Sequence, residues 1–353
     1  MTATATSATG ATPSGDGALL EVTDLRVHYK SRSRAHRRLG YDVRAVDGIS
    51  FAVAPGETLG LVGESGCGKS TTGRAVLQLV KPTGGTVRFD GVDVTGAGRR
   101  RLLEVRRGLQ VVFQDPYDSL NPRMKVGDIV AEPLAIHGLA KGEARRGRVG
   151  DLLELVGLGR EMMSRRPSEL SGGQRQRVCI AKALAVNPKF IVCDEAVSAL
   201  DVSVQAQVLN LLRRLQRELG LSYLFIGHDL SVVRHISDRV AVMYAGRLVE
   251  SAASEPLYER PYHPYTVSLL ASSPVPDPRI ERDRPVVPVA GEPPSQSNLP
   301  AGCRFAARCP LARDRCRAEA PAYTEVEPGR MVACHFWREV RDTPARAGAG
   351  AAP

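Results

Sequence analysis

The sequence predicts an α/β protein: a mainly parallel sheet covered by helices on both faces. Three observations predict it. Short apolar runs recur between residues 57 and 244, with helical periodicity between some of them. One run flows directly into a glycine-rich segment, Gly63 to Ser70, and a helical pattern follows. Two further runs deliver polar residues at their ends: FIVCDE ends on Asp194 and Glu195, and SYLFIG is followed by His228. Open parallel sheets bind ligands at such strand ends.

The elements follow in chain order. Residues 1–17 are mostly Thr, Ala, Ser and Gly with no apolar core, and read as a disordered tail. LLEVTDLRVHY, from Leu19, alternates as a strand does, and ISFAV (Ile49 to Val53) does the same. The basic stretch KSRSRAHRRLG between them reads as a solvated loop. ETLGLVG is a buried strand, and a helix is expected from Lys69 to about Val80, ended by Pro82 and Gly84. TVRFD, LQVVF, KFIVCD, SYLFIG and DRVAVMY read as strands, and VQAQVLNLLRRLQREL as an amphipathic helix. Residues 115–177 carry no strong strand signal and are expected to form a helical subdomain inserted between two strands. Near residue 253 the composition changes. Sixteen of the 24 prolines lie beyond residue 255, which excludes long helices and predicts a loop-rich extension. The expected division is a tail at 1–17, a main domain at 18–252, an extension at 253–338 and a second tail at 339–353.

Composition narrows the function classes. A chain of 353 residues, 43% hydrophobic and 24% charged, is globular. Its net charge of +10 is dispersed apart from clusters at Arg32 to Arg38 and Arg99 to Arg107. No basic stripe is interleaved with aromatics, which argues against nucleic acid as a partner. No apolar run approaches a membrane span, and the first residues do not form a signal peptide. The expectation is a cytosolic chain whose cysteines stay reduced unless they hold a metal.

Gly63, Glu64, Ser65, Gly66, Cys67, Gly68, Lys69 and Ser70 fit the spacing G-x-x-x-x-G-K-[ST]. The glycines let backbone N–H groups curl inward at phosphate oxygens, and the helix that follows adds its positive end. Lys69 supplies a cation for the terminal phosphates, Ser70 a hydroxyl for Mg²⁺, and Thr71 continues the same turn. Asp194 is expected to hold Mg²⁺ beside Ser70, and Glu195 to orient or polarise the attacking water. His228 is read as a link between the terminal phosphate and Glu195. Gln114, after LQVVF, is a neutral group suited to meet Mg²⁺ and water. Ser171, Gly172, Gly173 and Gln174 open another helix, with Ser171 as N-cap. They lie in the insertion, away from the chain's own phosphate loop, so their natural ligand is a terminal phosphate on another subunit. Ser198, Ala199, Leu200 and Asp201 are expected to line that same interface.

In this order the segments resemble the ATP-binding subunits of ABC transporters over roughly Leu19 to Ala252. The resemblance implies a RecA-like P-loop NTPase core with an antiparallel β edge, a helical subdomain, and two ATPs with Mg²⁺ sandwiched between two subunits. It assigns the Q-loop to Gln114, the signature to Leu170 to Gln174, the Walker B Asp and catalytic Glu to Asp194 and Glu195, the D-loop to Ser198 to Asp201, and the switch histidine to His228. It places adenine on Tyr29, with Tyr41 as the alternative. Two positions depart from the pattern. Ala196 stands where Pro is usual, which is expected to relax the backbone of Glu195. Gly227 replaces the usual Ser or Thr.

The segments RPYHPYTVSLLASSPVPDP, GEPPSQSNLPAGCRFAARCP, RCRAEAP and PGRMVACHF look like the C-terminal extension of oligopeptide and dipeptide importers. That resemblance implies a second ATPase subunit (self or paralogue), two membrane-spanning permease subunits and, indirectly, an extracytoplasmic substrate-binding protein. The chain would sit peripherally on the cytoplasmic face of a bacterial membrane. The same group includes importers of nickel and other small solutes. The rival reading, a soluble ABC-type ATPase acting on nucleic acid or the ribosome, generally carries two cassettes or long insertions. A small-molecule kinase has no use for LSGGQ. Cys303, Cys309, Cys316 and Cys334 are the thiols of the extension, and His335 is a spare ligand. They suit a [4Fe–4S] cluster or Zn²⁺, or are plain buried thiols; the tight C-x₂-C pair of zinc ribbons is missing.

Overall fold

A computed structural model describes residues 17–30, 42–272 and 291–342. The stretch 31–41, which holds Tyr41 and the basic cluster Arg32 to Arg38, lies outside the described residues, as do 1–16, 273–290 and 343–353.

The strands are β1 (Leu20–Lys30), β2 (Asp42–Val53), β3 (Thr58–Val62), β4 (Gly84–Phe89), β5 (Val92–Asp93), β6 (Leu109–Val112), β7 (Phe190–Asp194), β8 (Ser222–Ile226), β9 (Arg239–Tyr244), β10 (Arg247–Ala253), β11 (Thr324–Glu327) and β12 (Arg330–Val332). They form two sheets. The larger has the order β11-β12-β10-β9-β3-β8-β7-β6, and the smaller, β2-β1-β4-β5, is antiparallel. The larger sheet is parallel from β9 to β6 and antiparallel at its β10, β12 and β11 edge. β3, β7 and β8 are buried along their whole length, as the unbroken apolar runs require of strands covered on both faces.

One apolar cluster joins Leu20, Val22, Leu25 and Ile49 of the smaller sheet to Leu59 and Leu61 of β3 and to Ala75 and Val76. The other packs Leu209, Leu212 and Leu215 against Ile191, Tyr223 and Phe225. The helix Val202–Leu219 supplies that leucine stripe. Asp201 caps its start and Gly220, at φ 65°, ends it.

Between β6 and β7 every regular element is helical: Pro116–Ser119, Val126–Ile136, Gly142–Leu155, two 3₁₀ turns, and Gly172–Leu184. The expected limit near residue 177 falls inside the last of these helices. The helix from Lys69 ends at Val76, four residues before the expected Val80. Gln78 enters the left-handed region at φ 53°, and its side chain donates to the Ala75 carbonyl, closing the helix early.

The extension is more ordered than its prolines suggest. β12 pairs with β10, so residues of the extension complete the edge of the main sheet. Residues 339–342, expected to open a tail, belong instead to the helix Trp337–Asp342, whose Arg341 carbonyl accepts from Arg260.

Candidate functional site

Strand register assembles the site. Val112 is level with Cys193, Asp194 with Ile226, Leu61 with Ile226, and Val62 with Val242. Continuing those rows by one or two residues puts Gly63, Gln114, Glu195 and Gly227–His228 at one end of the parallel strands, where ligands of such sheets bind.

The loop from Gly63 to Gly68 then turns into the helix Lys69–Val76. Gly68 has φ 113°, and a Cβ there would stand 2.1 Å from the Ala45 carbonyl oxygen, so only glycine fits. Lys69 is buried and donates to the carbonyls of Gly63 and Glu64 at 2.8 and 3.0 Å, which holds its ammonium within the loop. The Ser70 hydroxyl donates to Asp194 Oδ1 at 2.8 Å. Burial pushes the Asp194 carboxyl above its ordinary pKa, and the Ser70 hydrogen bond opposes that. This hydroxyl and carboxylate fit Mg²⁺, a hard cation that takes few protein oxygens and completes its shell with phosphate and water.

His228 Nδ1 stands 3.3 Å from Glu195 Oε2. Glu195 adopts φ 51°. Its N–H donates to the Ile226 carbonyl, and its carbonyl accepts from both the backbone and the hydroxyl of Ser198. Ala196 therefore does not leave that backbone loose: the hydrogen bonds hold it where a following proline would otherwise constrain it. The glycine at 227 has a packing cause, since a Cβ there would meet Val233 Cγ2 at 2.9 Å. Gln114 is exposed, and the next residue, Asp115, caps the short helix Pro116–Ser119. Tyr29 is 42% exposed near the end of β1, an available aromatic face. Ser65, Gly66 and Thr71 lie on or directly behind the loop, and Cys67 is buried, its thiol pushed up by that burial.

Ser171 and Gln174 form a reciprocal cap. Gln174 N–H donates to Ser171 Oγ at 3.3 Å, and Ser171 N–H donates to Gln174 Oε1 at 2.9 Å. A Cβ at Gly172 or Gly173 would touch Leu200 or Val204 and meets no atom of the phosphate loop. The turn therefore lies beside the segment that ends in Asp201. Asp201 accepts from Val204 N–H and Ser203 Oγ, and these bonds hold its carboxyl below the ordinary value.

Two contacts are not legible in the motifs. Arg175, buried behind the cap, donates to the Leu170 carbonyl and stacks 3.8 Å over the Tyr117 ring. It ties the signature helix to the segment that follows Gln114. Arg308 of the extension reaches Glu64 of the phosphate loop. Arg175 had a signal, since a long cation one residue past a cap reaches back to the preceding turn. Arg308 had none, because 244 residues separate it from its partner.

Cys303, Cys309, Cys316 and Cys334 line one cavity of about 10 Å³, together with His263, Phe305 and Phe336. Burial raises their thiols where a shift is resolved, to about 11 for Cys309 and about 12 for Cys334. Yet no group of three His, Cys, Asp or Glu among the described residues is placed to hold a metal ion. The structure brings the four thiols to one cavity but not to metal-ligand spacing, so their placement supports neither the [4Fe–4S] nor the Zn²⁺ expectation.

Residues 46–198 match the protein family described as ABC transporter, and residues 249–316 match the oligopeptide/dipeptide transporter C-terminal region. The chain is similar to the oligopeptide transport ATP-binding protein AppF of Bacillus subtilis, with 49% identity over 320 residues, 90% of this chain and 97% of that one. Its fold is similar to the ATP-binding cassette MJ0796, solved as a dimer in a post-hydrolysis state with ADP and Pi. There the TM-score is 0.59 and identity 29%, over 67% of this chain and 98% of the cassette. It is also similar to cbiO1 of Clostridium perfringens, part of the complex cbiONQ, with a TM-score of 0.60 and 27% identity over 69% of this chain and 91% of that one.

Proposed function

The chain belongs to the ABC transporter ATP-binding proteins of the oligopeptide/dipeptide type, and from that premise we propose that it hydrolyses ATP to drive import of oligopeptides or dipeptides. The observation that carries the ATPase reading is the single strand-end row of Gly63, Gln114, Glu195 and His228, with Lys69 inside the loop and Ser70 on Asp194. In this reading Lys69 and the loop backbone hold the phosphates, and Ser70, Asp194 and Gln114 hold Mg²⁺. Glu195 orients water, and His228 fixes Glu195 against the terminal phosphate. Tyr29 stacks on adenine. Mg²⁺ neutralises charge on the phosphates when bound; positioning is the work of the protein residues.

The capped turn at Ser171 to Gln174 serves a nucleotide held by a second ATPase subunit, and closure of the pair moves two membrane-spanning subunits. No helix among the described residues is long and apolar enough to cross a membrane, which supports a peripheral place on such a complex. Residues 18–252 are assigned to the nucleotide-binding domain, its helical part running from 115 through the helix Gly172–Leu184, and the residues from 253 through the helix Trp337–Asp342 to the extension characteristic of peptide importers. A [4Fe–4S] cluster on the four cysteines is proposed from their number and shared cavity alone. Iron and acid-labile sulfide in anaerobically purified protein test that; absence of both removes it.

The main test is ATP-dependent uptake of a labelled peptide into vesicles that carry the assembled transporter. Uptake is expected with this chain and is expected to vanish with Lys69→Ala. Peptide uptake that persists in the substituted transporter contradicts the proposal.

A further inference from the structure

We propose that Arg308 is a positioning residue for the phosphate loop, neutralising and aiming Glu64 so that the loop meets ATP without a bare carboxylate beside the phosphates. This rests on the reading of Gly63 to Ser70 as the ATP loop. Arg308 Nη1 and Nη2 donate to Glu64 Oε2 and Oε1 at 2.9 and 3.0 Å, a two-pronged pair. The arginine side chain is 9% exposed and the glutamate 29%, so water screens the pair only in part.

The loop is gripped at two further points from the C-terminal side. Glu64 N–H donates to the Tyr265 hydroxyl at 2.9 Å, and Gln296 Nε2 donates to the Gly66 carbonyl. Gln296 is itself fixed through its carbonyl by Arg44 N–H at 3.0 Å. Arg308 is held from behind. Its guanidinium lies 5.8 Å from the Tyr244 ring centre and 6.0 Å from that of Phe305, and Nη1 donates to the Tyr244 hydroxyl at 3.3 Å, while the Arg308 backbone N–H donates to the Phe305 carbonyl at 2.9 Å.

The chemistry explains why this contact serves binding. Glu64 is the one acid among residues 63–71, and ATP is a polyanion. Unpaired, the Glu64 carboxylate repels the ligand that its own loop must hold. A planar fork cancels the charge and fixes the direction of the carboxylate, which the single ammonium of a lysine does less well.

The test measures the dissociation constant of the full-length chain for MgATP. Arg308→Met is expected to weaken binding about tenfold, and a second change, Glu64→Gln, to restore it to within about threefold of the parent. The loss is expected to shrink as salt rises, which a purely structural defect does not do. Arg308→Lys, which keeps a charge but loses the fork, is expected to weaken binding by about threefold, less than Arg308→Met does, and it keeps the test decisive should Arg308→Met fail to fold. Unchanged affinity in folded Arg308→Met, failure of Glu64→Gln to restore it, or a loss in Arg308→Lys as large as in Arg308→Met overturns the proposal. Lys69→Ala serves as the control. If it binds ATP as the parent does, the loop assignment fails, independently of Arg308.

Discussion

Glu195 combines an unusual backbone with a carboxylate that faces His228. A non-glycine residue at φ 51° costs about 1–3 kcal/mol, and such strain persists where the surroundings over-determine it. Here the Ile226 carbonyl and two donors of Ser198 do so, while His228 meets the carboxylate from the front. Glu195→Gln keeps the shape and removes the carboxylate proposed to orient the water. ATP affinity is expected to stay within about twofold, and turnover to fall by about 10²–10³-fold, with a persistent ATP-bound pair. Single-turnover hydrolysis beside equilibrium binding checks it, and undiminished turnover removes Glu195 from its role. Gly227 poses a packing question at the same strand end. Gly227→Ser is expected to destabilise by about 1–2 kcal/mol, because its Cβ meets a buried valine methyl. Urea unfolding should show that adding Val233→Ala costs less than the sum of the two single changes, with a coupling of about 1 kcal/mol. Strict additivity contradicts the contact.

At the scale of elements, the extension is fastened by a buried polar cluster on β10. Glu250 is fully buried and accepts from the N–H groups of Tyr262 and His263, with Arg330 Nη1 3.5 Å away. Breaking such a pair strands the other charge, so Glu250→Ala is expected to cost about 3 kcal/mol in urea unfolding. A loss below about 1 kcal/mol shows that the cluster does not fasten the extension.

Beside it, His263 Nδ1 accepts from Tyr265 N–H, and burial holds the imidazole neutral, its pKa lowered to about 3. The unfolded chain takes up that proton near the ordinary value of 6.5. The stability from neutral His263 is therefore present above pH 6.5 and drains as pH falls toward about 3. Glu250 has the opposite sign. Burial raises its carboxyl to about 6 from 4.5, so its contribution is present below pH 4.5 and is lost as pH rises through about 6. His263→Gln, which keeps an acceptor for Tyr265, is expected to flatten the loss of stability between pH 6.5 and 4.5. Unfolding midpoints across that window measure it, and an unchanged slope contradicts the assignment.

These fastenings also show where the sequence stopped being legible. The phosphate loop is readable because only particular residues curl a backbone around phosphate, and Gly68 admits nothing larger. The apolar runs of β3, β7 and β8 are readable because strands buried on both faces have no polar alternative. β12 is three residues long and begins with a buried arginine that pairs with Glu250, so neither periodicity nor apolar content announces it. The grip of Arg308 and Gln296 on the loop joins residues more than two hundred positions apart, beyond any local pattern.

In the proposed pairing the whole molecule presents half of each site. Gly63, Asp194 and Glu195 lie at one strand end with Ser70 on Asp194, while the capped turn at Ser171 packs beside Leu200 and Val204. A turn that serves its own chain's nucleotide and one that serves a partner's differ in a measurable way. Ser171→Asp keeps the cap, since aspartate caps helices as well as serine does, yet puts a negative charge where an incoming phosphate would lie. With the substituted chain assembled with its partner subunits, ATP turnover is expected to fall at least about tenfold, while the chain's own ATP affinity stays within about twofold. Full turnover, or a matching loss of the chain's own affinity, contradicts a nucleotide shared between subunits.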